Sequence, residues 1–124
     1  MHRMAILAMA GVVPFDLAVP CEVFSRARTA DIEQPYRLRV CGETPTVRAG
    51  AFDLQLHWGL DELAAAQTIM VPGLGRLDAP ISDAVLAALR AAAARGTRIA
   101  SICTGAFILA PPVRAGRSPG AVCR

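Results

Sequence analysis

Two short runs of the chain are apolar almost without interruption, Met4–Ala10 and Thr68–Val71, and a third, Thr97–Ile102, is mostly so. Strands buried on both faces of a parallel sheet read this way. Two other segments, Tyr36–Cys41 and Ala51–His57, alternate polar and apolar residues. They are expected as strands with one less buried face. Helical spacing appears between these runs. Phe15–Ala18 leads into a helix over Val19–Arg28, with Leu17, Val23, Phe24 and Ala27 in step and Pro20 suited to its first turn. Asp61–Ala66 reads as a short helix. Pro80–Arg95 is the strongest: Ile81, Val85, Leu86 and Leu89 share a face, Asp83 lies near the start, Arg95 near the end, and Gly96 stops it. Strands alternating with helices predict an α/β fold, a doubly wound parallel sheet with right-handed crossovers.

A further helix begins at Ala106–Ala110, and there the pattern ends. Pro111 and Pro112 interrupt it, and the rest to Arg124 has neither period. The expected organisation is one α/β domain over residues 1–110, incomplete at its C-terminus as if truncated, and an irregular Arg/Pro-rich tail over 111–124. A missing layer would matter. Each large apolar side chain contributes about 1.5–3 kcal/mol by burial, against a total stability of about 5–15 kcal/mol.

Charge and cysteine content narrow the function. The chain has 124 residues, 54% of them hydrophobic and 19% charged, which suits one globular domain. The net charge is +3, and all 13 basic residues are arginine. Up to Ala110 they balance the acids, so the excess lies in Arg114, Arg117 and Arg124. A basic tail without a basic face predicts no direct DNA binding. The four cysteines, Cys21, Cys41, Cys103 and Cys123, form no C-x-x-C pair, and His2 and His57 are the only histidines. No metal site, cofactor or disulfide framework is expected from that set. Met4–Val13 is too short to span a bilayer, which takes about 20 residues. A cytoplasmic protein with reduced thiols and no membrane partner is expected.

Cys103 is the candidate centre. The third buried strand runs straight into it, a helix follows, and Gly105 comes two residues later. That is the outline of a nucleophile elbow, where the nucleophile sits in a strained turn and a small residue leaves room. Amides at the start of the following helix would stabilise a thiolate or an oxyanion. Pro72-Gly73 would offer its backbone to the same crevice, at the carboxyl ends of the strands. The competing reading is a structural thiol at a strand end. Asp16, just beyond the first strand, would open into that crevice and could orient the thiol or exchange a proton with it; a helix N-cap would explain it equally. Glu22 and His57 are weaker candidates, and Cys21 and Cys41 are expected in the core.

Three segments together resemble the ThiJ/PfpI family of the class I glutamine amidotransferase-like superfamily: Phe15-Asp-Leu-Ala-Val-Pro-Cys-Glu-Val-Phe24, Val71-Pro-Gly73, and Ser101-Ile-Cys-Thr-Gly-Ala-Phe107. The resemblance covers about residues 3–110 and implies a flavodoxin-like sheet. The Cys-Thr-Gly-Ala-Phe elbow is most similar to the N-terminal sensor domain of AraC-family transcription regulators, and also resembles isocyanide-hydratase-like enzymes. It implies Cys103 as the elbow cysteine and Asp16 as its acidic partner, with Gly73, Thr104 and Gly105 lining the ligand pocket. Thr104 stands where peptidase members carry histidine, so no peptidase dyad is implied. The implied function is a ligand-sensing, homodimerising domain of a regulator without its helix-turn-helix half. The alternatives are a cysteine-dependent hydratase-like enzyme acting on a small molecule, and a fragment with no function.

Overall fold

The apolar run near the N-terminus becomes β1 (His2–Leu7), a strand flanked on both sides. The structure is a computed structural model; it describes residues 1–76, 79–103 and 105, and the backbone of 121–123. In chain order the further elements are α1 (Pro14–Ser25), β2 (Tyr36–Cys41), β3 (Thr46–Ala49), β4 (Phe52–Gln55), α2 (Glu62–Ala65), β5 (Thr68–Val71), α3 (Asp83–Ala94), β6 (Arg98–Ser101) and β7 (Ala121–Cys123). Five strands form one parallel sheet in the order β2-β1-β5-β6-β7. That is the flavodoxin-like order, with its switch point between β1 and β5.

In-register parallel neighbours send their side chains to the same face. On one face, Leu63 of α2 and Val85, Leu89, Ala92 and Ala93 of α3 are buried with Leu7, Ile69, Val71 and Ile99. On the other, α1 packs along β2, where the Phe24 and Tyr36 rings meet edge-on at 4.9 Å. Glu62, with a side chain only 12% exposed, ties α2 to β2: its carboxylate accepts from Arg39 Nη1 at 2.8 Å and lies 3.7 Å from Arg37 Nη2. Arg39 also stacks over Trp58, 5.0 Å from the ring centroid.

Several expectations are corrected. α1 spans Pro14–Ser25, not Val19–Arg28. Pro14 takes the first helical position, where a missing N–H costs nothing. Pro20 is therefore interior, and it leaves the Asp16 carbonyl without its usual helical donor. α3 starts at Asp83 rather than Pro80, because Ser82 caps it by accepting from the Val85 N–H at 3.2 Å. The alternating Ala51–His57 segment is a strand only over Phe52–Gln55, and it pairs antiparallel with β3, which the hydrophobic pattern did not mark. Within 111–124, Ala121–Cys123 is not irregular: it pairs with β6, Ala100 opposite Val122. The remainder of that segment, and the helix expected from Ala106, lie outside the described residues.

Candidate functional site

The site is best assembled from the end of β5. Val71 closes that strand, and its carbonyl accepts the Ile102 N–H at 3.0 Å, which carries β6 one residue beyond its ladder. The chain then turns at Cys103, whose φ is +53°, the only left-handed non-glycine residue among those described. A cysteine there is strained, and such strain gathers at functional turns. The thiol is exposed. The Gly105 N–H donates back to the Ile102 carbonyl at 3.0 Å and closes the turn.

Gly105 leaves room in the turn, and the backbone that needs the room is that of β5. A Cβ at that position would collide with the Val71 carbonyl oxygen and lie 3.3 Å from the Pro72 carbonyl carbon. The turn is thus pressed onto the exit of β5. Val71 itself was not expected at the site. It contributes through its backbone, so side-chain type carried no signal.

On the other side of β5, the loop leaving β1 is held by backbone bonds. The Val13 N–H donates to the Gly73 carbonyl at 2.9 Å, and the Gly75 N–H to the Gly11 carbonyl at 2.9 Å. Gly73 is buried between the two loops. Asp16 lies one turn along α1 from Val13, which is the N-cap residue and makes no side-chain cap bond. Asp16 is therefore not the N-cap, although it sits in the first turn, where the helix dipole favours a carboxylate. It is half-exposed. The fold brings Asp16 and Cys103 to the same end of the sheet, Asp16 in the helix that follows β1 and Cys103 in the turn that follows β6, the two strands that flank β5. No contact joins them among the described residues. Thr104 lies outside those residues.

The other candidates fall elsewhere. Glu22 accepts from Arg26 Nε at 2.7 Å on the solvent face of α1. His57 is exposed and meets Trp58 edge-on at 5.6 Å, beyond the β3–β4 hairpin. Cys41 is fully buried, and burial, then Glu62 and Asp61, push its thiol up to about 12. Burial first and Glu22 second also raise the half-buried Cys21 thiol. It lines a cavity of about 410 Å³ with Leu17, Leu38, Val40 and Trp58. A smaller cavity of about 210 Å³ opens between β1 and α3, where Glu43 accepts from the Ser82 hydroxyl at the helix start. Neither Asp16 nor Cys103 lines these two cavities. No group of three or more His, Cys, Asp or Glu side chains among the described residues could hold a metal. No described helix is long and apolar enough to cross a membrane.

No family profile matches the chain. One curated relative does: an uncharacterized protein from the cpoL 5' region of Streptomyces lividans, 33% identical over 111 residues, which cover 87% of this chain and 77% of that protein. Solved structures share the fold. A two-domain protein with DJ-1/ThiJ/PfpI-like and ferritin-like domains from Anabaena variabilis matches at a TM-score of 0.70 and 18% identity, over 88% of this chain and 31% of that one. A ThiJ/PfpI family protein from Pseudomonas syringae matches at 0.70 and 21%, over 90% and 46%. The chain thus spans less than half of either of those structures. An AraC family transcriptional regulator from Pseudomonas putida matches at 0.66 and 18%, over 100% and 76%. The chain therefore belongs to the family of the Streptomyces lividans protein, and its fold is that of the ThiJ/PfpI/DJ-1 superfamily.

Proposed function

We propose that this chain is the ligand-sensing and dimerising half of an AraC-type transcription regulator, the half that does not itself read DNA, and that it works in the cytoplasm. The observation that carries the reading is the elbow: an exposed Cys103 held left-handed at the end of β6, in the sequence form Cys-Thr-Gly-Ala-Phe. The likeness of fold to the P. putida regulator along the whole chain supports it. In this reading Cys103, Thr104, Gly105 and Gly73 surround a small ligand, and Asp16 reads its polar side. Sedimentation of the purified chain with a labelled duplex is the test. A homodimer that leaves the duplex free is expected. A tight complex that weakens steeply with salt overturns the reading.

The strained, exposed thiol also favours a second reading, a hydratase-like enzyme. A Cys103 thiolate would add to the carbon of an isocyanide, with a proton delivered by Asp16, to give a thioimidate; water would then add to that carbon and expel the thiol, leaving the N-formamide, while the elbow amides hold developing charge. Steady turnover of an aryl isocyanide, lost in both Cys103→Ala and Asp16→Asn, would replace the first reading with this one.

A further inference from the structure

The cavity of about 410 Å³ has three walls. Leu17 and Cys21 come from α1, Leu38 and Val40 from β2, and Leu54 and Leu56 from β4 and the residues just after it. β2 is the edge of the main sheet, so no further strand of that sheet fills this space. The third wall is held by backbone. The Leu56 N–H donates to the Pro45 carbonyl at 2.7 Å, and the Gly42 N–H to the Trp58 carbonyl at 3.2 Å. Gly42 also seats Leu56: a Cβ there would lie 2.6 Å from Leu56 Cδ1 and 2.7 Å from the Ala8 carbonyl oxygen. These contacts shape the cavity without help from an occupant. Leu38, Val40, Leu54 and Leu56 pack against the core, yet each keeps part of its surface open. Such walls offer water few hydrogen bonds.

We infer that this cavity is a second ligand site, separate from the elbow, for a small neutral molecule that is mostly apolar and carries a hydrogen-bonding group at one end. Volume and charge select that class. The volume lies in the range of small-molecule pockets, which are mainly apolar with a few polar groups. Glu22 is the one formally charged side chain on the lining, and it is spent on Arg26 at 2.7 Å. Burial, then Glu22, raises the Cys21 thiol, which keeps that wall uncharged as well. A charged ligand would give up its water here and meet no opposite charge. The polar groups lie at the mouth, where Gln55 and His57 are exposed and can meet the polar end of a ligand. The inference goes beyond the proposed function, whose ligand sits at the other site, and Cys103 lines no part of this cavity.

The two sites each carry a cysteine, so one experiment on the unmodified chain tells them apart. The probe is the neutral dye N-phenylnaphthylamine, whose emission rises on entering an apolar site. N-ethylmaleimide labelling is then timed with and without the dye. Cys21, Cys41, Cys103 and Cys123 fall on four different tryptic peptides, so mass spectrometry follows each alone. With the dye at ten times its Kd, labelling of Cys21 is expected to slow on the order of tenfold, as the free fraction falls by 1 + [L]/Kd. Labelling of Cys103 is expected to keep its rate. The anionic relative anilinonaphthalene sulfonate is expected to protect Cys21 far less. No dye binding, or equal slowing of Cys21 and Cys103, overturns the inference and leaves the proposed function standing. Slowing of Cys103 alone also overturns it, and supports the elbow as the ligand site. Equal protection of Cys21 by the anionic dye overturns the neutral class.

Discussion

At Cys103 a single backbone angle carries much of the functional argument. Holding an L-residue left-handed costs roughly 1–2 kcal/mol, and glycine escapes that cost. Cys103→Gly is therefore expected to raise the free energy of urea unfolding by about 1 kcal/mol, and Cys103→Ala to give no such gain. Equal effects would mean that the turn is not strained. Cys41 makes a prediction of the opposite kind. Its folded thiol is raised from the model-compound value of 9.0 to about 12. Between these values the unfolded chain releases a proton that the folded chain keeps, so stability falls as pH rises. The loss from this group is about 1.4 kcal/mol per pH unit across that window. Urea titrations at pH 9 and 10 are expected to show a smaller decline in Cys41→Ala than in the parent.

Among the elements, α3 illustrates how a local signal sets a boundary. Ser82 accepts from the Val85 N–H, so Ser82→Ala is expected to cost about 1 kcal/mol. Thermal unfolding read by circular dichroism would show it; an unchanged midpoint would mean that the cap is idle. The bounds of β5 could be read from its unbroken apolar run and those of β2 from its strict alternation of polar and apolar residues. α1 was misplaced because two prolines competed for its first turn, and both fit the composition of a helix start; Pro14 won. β3 escaped notice because Thr46–Ala49 buries only Val47 and Ala49, too few positions for a period to show. At the site, Gly105 was read as leaving room in the turn; that the neighbour a side chain would crowd is the Val71 backbone could not be read, because residue type does not say which backbone lies opposite. The position of Asp16 in the first turn, across β5 from the thiol, needed the strand order before it could be stated.

Across the whole molecule, the parallel order makes every main-sheet pairing long-range. β1 pairs with β2, and Met4 pairs with Thr68 far down the chain. Such topologies fold in milliseconds to seconds rather than microseconds. Stopped-flow refolding of the reduced chain is expected to fall in that range, and a microsecond phase carrying the full amplitude would contradict the sheet. The order of pairing also bears on how the protein is made. β1 leaves the ribosome before both of its neighbours and is among the most apolar strands, yet its second neighbour is translated only at Thr68. At about 5–20 residues per second, the Met4–Leu7 stretch lacks that second neighbour for on the order of 3–13 s. During synthesis this strand is a natural ligand for a chaperone, and its aggregation risk is greatest before β5 emerges.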